Sequence, residues 1–154
     1  MGVYFFESSA LVKAYVSEQG SAWVRSLIDP IAGNDIFVVR TTEIEITSAV
    51  VRRQRSGSLI ASNATAALAA FRQDLHNRFQ VTEVELALVR LAVVTVQAHG
   101  LRAYDALQLA TVVQANRLRT AAGVAPLTLV SADRELNAAA TSEGLAVENP
   151  NQQP

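Results

Sequence analysis

The sequence contains no cysteine, and this absence excludes disulfide-linked scaffolds, cysteine zinc sites, iron–sulfur clusters and cysteine nucleophiles. It has no glycine-rich phosphate-binding loop, no Ser–His–Asp arrangement and no dinucleotide fingerprint. The two histidines, His76 and His99, lack the spacing of metal ligands, and each lies near a predicted helix end where a cation favours the helix dipole. An excess of positive charge is also missing, because the formal net charge is -1. Composition alone therefore does not indicate a nucleic-acid partner.

Long hydrophobic runs are absent as well. The N-terminal segment, residues 1–16, is apolar but is interrupted by Glu7 and Lys13. It lacks both the basic leader of a secretion signal and the length of a membrane span. We therefore expect a soluble, cytoplasmic protein that does not interact with a membrane.

The alternation of short apolar runs with longer segments of helical period indicates βαβ units around a parallel sheet. Half of the 154 residues are hydrophobic, which is enough for one folded domain. Strands are predicted at residues 3–6, 36–39, 79–81, 127–130 and 145–147. Helices are predicted at residues 10–16, 21–28, 42–53, 58–76, 83–99, 103–120 and 133–143, with Ser8 or Ser9 capping the first. We predict one α/β domain over residues 1–150 and a frayed polar tail over residues 151–154.

Acidic residues from four distant segments fall at the predicted carboxyl edge of this sheet. Glu7 ends the first strand, and Asp133 lies just beyond the fourth. Either Glu43 or Glu45 lies in the first turns of the helix after the second strand, and Asp105 opens the sixth predicted helix. Ligands of open parallel sheets bind beyond the carboxyl ends of the strands, so we expect these carboxylates to converge.

A cluster of carboxylates without cysteine or histidine suits a hard cation such as Mg²⁺ or Mn²⁺. Without a cation, crowded acids raise one another's pKa. A structural role is the alternative for each acid taken singly, because the helix dipole stabilises acids in a first turn by about 0.3–1 kcal/mol. Glu7 differs, since a carboxylate that ends an apolar strand is costly unless it is solvated or paired.

Four segments resemble the acidic motifs of PIN-domain ribonucleases and occur in the family's order. They are residues 4–13 (YFFESSALVK), 45–53 (EITSAVVRR), 101–110 (LRAYDALQLA) and 129–136 (LVSADREL). The C-terminal segment at residues 143–150 (EGLAVENP) also fits the family's pattern. The resemblance covers residues 4–150 and is strongest to the VapC-type toxins of toxin–antitoxin pairs.

This resemblance implies a PIN-like three-layer α/β fold, in which helices flank a central, mostly parallel sheet. It also implies an endoribonuclease that depends on Mg²⁺ or Mn²⁺ and acts as the toxin of a type II toxin–antitoxin system. Its substrate would be structured RNA such as tRNA or rRNA, cleaved by a metal-activated water to leave a 5′-phosphate and a 3′-hydroxyl. The implied partners are a cognate antitoxin and a second copy of the chain in a homodimer.

Four residues are the predicted catalytic and metal-binding set. We expect Glu7 and Asp105 to hold the principal metal ion, and Glu45 and Asp133 to complete the acidic pocket through water or a second ion. Glu45 is favoured over Glu43 because it precedes the Ser-Ala-x-x-Arg-Arg pattern. Both cannot face one metal, since residues two apart on a helix point roughly 200° from each other.

Glu7 departs from the family, whose first acid is normally Asp. Its extra methylene moves the carboxylate about an ångström further into the site, whereas Mg²⁺ requires near-ideal octahedral geometry. The chain is therefore either an active enzyme with a compensated site, or a catalytically weakened or inactive PIN-fold protein that acts by binding antitoxin or RNA. A metal phosphatase acting on small phosphoesters is a third alternative.

Two serines and three arginines complete the candidate site. Ser9 and Ser131 lie beside the acids and would orient carboxylates or water, although Ser9 could equally cap a helix. Arg52, Arg53 and Arg55 are candidate contacts to RNA phosphates, and a solvated helix end is the alternative. Without the four acids, 13 cationic residues face 10 acidic ones, so the remaining net charge of +3 is compatible with a polyanion.

Overall fold

Seven α-helices and five β-strands are found in the computed structural model, which describes residues 1–153. The strands are β1 (Val3–Phe6), β2 (Asp35–Val39), β3 (Gln80–Thr82), β4 (Thr128–Val130) and β5 (Ala146–Glu148). The α-helices are α1 (Ser8–Tyr15), α2 (Ser21–Ile28), α3 (Thr42–Arg55), α4 (Ala61–Asn77), α5 (Leu86–His99), α6 (Ala103–Ala121) and α7 (Arg134–Ser142). Two short 3₁₀ helices occupy Pro30–Ala32 and Pro150–Gln152.

The five strands form one sheet in the order β3-β2-β1-β4-β5, and all neighbouring strands are parallel. Tyr4 at the centre is paired with Ile36 on β2 and with Thr128 on β4. This arrangement confirms the predicted α/β fold with a central parallel sheet between helices. Because all strands point the same way, their carboxyl ends lie along one edge.

The central strand β1 is buried on both faces, as its uninterrupted apolar sequence predicts. Phe5 and Phe6 are fully buried but point to opposite faces, since successive side chains alternate along a strand. Phe6 packs in a core cluster with residues of α1 to α4, including Phe71. Phe5 packs in a second cluster with residues of α5 to α7, including Leu109 and Leu136. Glu7, which follows β1, is therefore anchored by both cores.

Two helix starts lie later in the chain than the sequence pattern predicts. The α4 helix begins at Ala61 rather than at Ser58, because the preceding Ile60 has extended backbone angles. The α5 helix begins at Leu86 rather than at residue 83, because the preceding Glu85 has extended backbone angles. Neither N-cap residue, Ile60 or Glu85, makes a side-chain capping hydrogen bond, so neither start carries the capping signal that marks a helix start in a sequence.

The C-terminal residues that the sequence predicts to fray are held in place up to residue 153. Pro150–Gln152 forms a 3₁₀ helix, which the Asn149 side chain caps by accepting from the Asn151 amide. The Gln19 side chain donates to the Asn151 carbonyl at 2.7 Å, and the Gln153 side chain donates to Glu148 at 2.8 Å. The predicted fraying is therefore wrong for residues 151–153, and Pro154 lies outside the described residues.

The connection between α5 and α6 positions one of the predicted site residues. Gly100 ends α5 with a φ of +67°, a conformation that glycine adopts without a steric penalty. The next helix leaves at an angle of 110° and carries Asp105 in its first turn. Among the described residues no single helix has the length and apolarity to cross a membrane; by those two criteria alone, α5 and α6 pass only as this bent pair.

Candidate functional site

The four predicted acidic residues line one surface cavity of about 750 Å³ at the carboxyl edge of the sheet. Glu7 follows β1 directly, and Glu45 lies in the first turn of α3. Asp105 lies in the first turn of α6, and Asp133 is the N-cap of α7. Glu43 instead pairs with Arg40 at 3.6 Å on the surface. The structure thus brings together the four acids that the sequence analysis selected.

Glu7 caps α1 and is the most enclosed of the four, with 3% of its surface exposed. Its Oε1 accepts from the Ser9 amide at 2.9 Å, and its Oε2 accepts from the Ser9 and Ser131 hydroxyls, the latter at 3.1 Å. The expectation that Ser8 or Ser9 caps α1 is therefore wrong. The Glu side chain is long enough to fold back onto the helix start, so Glu7 itself accepts the free amide hydrogen.

Ser9 and Ser131 also join the two loops that carry Glu7 and Asp133. The Ser9 hydroxyl accepts from the Ala132 amide at 3.0 Å. The Ser131 hydroxyl accepts from the Asp133 amide at 3.1 Å. Each serine thus donates to Glu7 and accepts from the loop after β4, which fixes the orientation of the Glu7 carboxylate.

Burial raises the pKa of Glu7 to about 7. The two hydrogen bonds from Ser9 oppose this effect because they stabilise the carboxylate, while the nearby negative charge of Glu45 adds to it. Near neutral pH the metal-free protein therefore contains both protonated and ionised Glu7.

Glu45 is held by a buried glutamine that the sequence analysis did not identify. Gln108 is fully buried on α6, and its Nε2 donates to Glu45 Oε1 at 2.8 Å. The same amide lies 3.1 Å from Ser8 Oγ and 3.2 Å from Thr42 Oγ1. The one signal in the sequence is a polar residue within the apolar run ALQLA, three positions after Asp105. Burial raises the pKa of Glu45, and the charge of Asp105 raises it further.

Asp105 and Asp133 differ in whether their side chains accept hydrogen bonds from the rest of the protein. Asp133 Oδ1 accepts from the Leu136 amide at 2.8 Å as the cap of α7. Asp105 has no side-chain hydrogen bond or ion pair within residues 1–153. Partial burial raises the pKa of Asp105, and repulsion from Asp133 raises it further. Asp105 is thus the carboxylate most available to bind a cation.

Cationic side chains line the same cavity. Of the three predicted arginines, Arg52 and Arg53 are lining residues, whereas Arg55 lies exposed in the last turn of α3. Lys13 and Arg102 also line the cavity, and neither was singled out as a phosphate contact from the sequence. Acidic and cationic groups therefore share one opening.

The carboxylate oxygens of the cavity are chemically suited to binding a divalent cation. Within residues 1–153, no three Asp, Glu or His side chains are arranged as a ready metal site. However, neighbouring acids around the cavity repel one another. Glu45 raises the pKa of Glu7, Asp105 raises that of Glu45, and Asp133 raises that of Asp105. A divalent cation would relieve this repulsion, and the oxygen-only ligands are those that Mg²⁺ and Mn²⁺ prefer.

The raised pKa of Glu7 predicts that the metal-free protein loses stability as the pH rises. A carboxyl whose pKa increases from 4.5 to about 7 on folding stabilises the fold fully below 4.5, and this contribution is lost as pH rises through 7. Between about pH 5 and pH 8 the loss is roughly 2–3 kcal/mol. Urea unfolding of Glu7→Gln, which cannot ionise, should lack this part of the decrease. Equal pH dependence in both proteins would contradict the assignment.

Comparisons with known proteins agree with the fold. The family model of the PIN domain matches residues 4–141. A comparison of the sequence with curated proteins gives no match.

Three solved structures resemble this one. PAE2754 from Pyrobaculum aerophilum has a TM-score of 0.65 and 20% identity, over 97% of this chain and 84% of that one. VapBC2 from Rickettsia felis, bound to a DNA fragment from their promoter, has a TM-score of 0.61 and 16% identity, over 96% of this chain and 98% of that one. FitAcB from Neisseria gonorrhoeae has a TM-score of 0.54 and 15% identity, over 97% of this chain and 99% of that one. At these identities the likeness shows a shared fold.

Proposed function

Because the chain belongs to the PIN domain family, whose members are generally nucleases, we propose that it is an endoribonuclease that depends on Mg²⁺ or Mn²⁺. The observation that supports this most directly is the convergence of Glu7, Glu45, Asp105 and Asp133 on one cavity. Four segments far apart in sequence each contribute one carboxylate, and a structural role for each acid alone does not account for their sharing one opening.

The proposed roles follow from how each carboxylate is held. Asp105, free of hydrogen bonds within the described residues, and Glu7, oriented by Ser9 and Ser131, hold the principal ion. Glu45 and Asp133 complete the pocket. When bound, the ion lowers the pKa of a water molecule and stabilises negative charge on the scissile phosphate.

The proposal extends to the biological setting. We assign the chain to the toxin side of a type II toxin–antitoxin system, acting in the cytoplasm on structured RNA such as tRNA or rRNA, as a homodimer and with a cognate antitoxin. The fold shared with VapBC2 and FitAcB supports an antitoxin partner. Residues 1–150 would form one PIN domain, which the single five-stranded sheet supports.

The function is tested by incubating the purified chain with tRNA and rRNA in Mg²⁺, in Mn²⁺ and in chelator. We expect cleavage only with a metal ion, at internal positions, with 5′-phosphate ends on the downstream products. A chromogenic phosphoester in parallel distinguishes a small-molecule phosphatase. Cleavage that continues in chelator would contradict the proposal.

A catalytically weakened protein that acts by binding is the second candidate, and the state of Glu7 favours it. Burial raises the pKa of Glu7 to about 7, so part of the population is neutral near neutral pH. The neutral carboxyl is a poorer ligand for a cation than the carboxylate.

The Glu7→Asp variant separates the two candidates. If the longer side chain impairs a nuclease, Asp should increase the cleavage rate by about tenfold or more, since outer contacts and ligand geometry commonly change metal-site activity by 10–100-fold. The measurement is the initial rate at several Mn²⁺ concentrations. RNA or antitoxin binding without cleavage in either protein would instead support a binding function.

A further inference from the structure

Two cations of the cavity share a single counter-ion. Lys13 Nζ lies 3.3 Å from Glu18 Oε1, and Arg53 Nη2 lies 2.9 Å from Glu18 Oε2. Two positive charges against one negative charge leave this group with a net charge of +1. Lys13, Glu18 and Arg53 are here called the Lys13 cluster, and all three line the cavity that contains the four acids.

Lys13 is enclosed to an extent that is unusual for a lysine. Only 6% of its surface is exposed, and Glu18 is its one hydrogen-bond partner within residues 1–153. An ammonium group can donate three hydrogen bonds, and a buried charge with unused donors is unfavourable. Lys13 is also a lining residue of the cavity, so a ligand bound there lies next to this side chain.

Arg53 is held in a fixed orientation. Its Nη1 donates to the Ala49 carbonyl at 3.2 Å, one turn earlier on α3, while Nη2 donates to Glu18. These contacts leave other guanidinium N–H groups free, in a rigid planar fork. A fixed guanidinium beside an ammonium group suits a tetrahedral anion with several acceptor oxygens, namely a phosphate.

We propose that the Lys13 cluster binds a backbone phosphate of the RNA next to the phosphate that is cleaved. This inference rests on the proposed function and specifies how the substrate lies in the site. A polynucleotide can place one phosphate at the four acids and a neighbouring phosphate at Lys13 and Arg53. A small phosphoester offers only one phosphate, so the Lys13 cluster favours a polynucleotide substrate over a small phosphoester.

Equilibrium binding of a short single-stranded RNA tests the proposal, in chelator and with Asp105→Asn in every protein to prevent turnover. Adding Lys13→Met should weaken binding about tenfold and reduce the slope of log Kd against log salt by roughly 0.7, the value for one phosphate contact. Lys13→Arg, which keeps the charge, should retain most of the affinity. Arg90→Met, at an exposed arginine on α5, is the control and should leave the slope unchanged.

A second measurement does not depend on the folding of a variant. Lys13 is the only lysine of the chain, so lysine labelled with ¹³C at Cε gives one side-chain resonance. We expect this resonance to shift when the RNA is added. RNA binding with an unmoved resonance and an unchanged salt slope in Lys13→Met would overturn the phosphate site while leaving the nuclease assignment intact. Absence of RNA binding and cleavage altogether would overturn both.

Discussion

Replacing Asp105 with Asn is expected to lower kcat/KM for RNA cleavage by more than about 100-fold. Asp105 is the one acid of the cavity without a hydrogen bond or ion pair in the described chain, so no protein donor competes with a cation for its carboxylate oxygens. Asn keeps the shape of the side chain but removes that charge. The measurement is the cleavage rate at saturating Mg²⁺ and again at saturating Mn²⁺.

Loss of folding is distinguished from loss of chemistry by the stability of the same variant. Burial and Asp133 raise the pKa of Asp105, so its ionised form is unfavourable in the metal-free fold. The free energy of unfolding of Asp105→Asn at neutral pH should therefore equal or exceed that of the unchanged protein. Asp29→Asn, at the cap of the Pro30–Ala32 turn before β2, makes the same change away from the cavity and should leave cleavage unaffected. Cleavage retained by Asp105→Asn would exclude the proposed metal site.

The fold could be predicted from the sequence because its signals are local. The apolar run at residues 3–6 predicts a strand buried on both faces, and Phe5 and Phe6 do lie in separate cores. Gly100 follows an apolar helical segment and ends α5 in the left-handed conformation. The meeting of Glu7 and Asp133 could also be predicted, since residues that follow parallel strands meet at one edge of the sheet. Asp105 follows α5 rather than a strand, and the turn at Gly100 precedes the helix that carries it.

The contacts that orient the acids could not be predicted in the same way. Gln108 and Glu45 are 63 positions apart, and Arg53 and Glu18 are 35 positions apart. No short-range sequence pattern relates residues so far apart. The first pair depends on how α6 lies against α3, and the second on how the segment between α1 and α2 lies against α3. The capping of α1 by Glu7 was missed for another reason: serine is the commoner cap, and here the longer Glu side chain accepts from the Ser9 amide.

Gln108 is a positioning residue whose loss should affect both stability and cleavage. Gln108→Leu keeps a buried side chain of similar size but removes the amide that contacts Ser8, Thr42 and Glu45. The substitution leaves these three partners without a donor, but it also removes the Gln108 Oε1, which is buried without a hydrogen-bond partner in the described chain. We therefore expect the free energy of unfolding in urea to fall by about 1–3 kcal/mol in total. Cleavage should fall about 10–100-fold, as for other residues that orient a metal ligand.

Thr111→Val is the matched control for Gln108→Leu, because Thr111 is buried one turn further along the same helix. Its hydroxyl donates to the Leu107 carbonyl within α6 and touches none of the four acids. Its loss should lower stability without changing cleavage. If Gln108 acts through Glu45, the decrease should lie mainly in kcat, since the contacts of the RNA with the Lys13 cluster are unchanged and KM depends on them. A decrease in stability alone, with kcat unchanged, would restrict Gln108 to holding α1, α3 and α6 together.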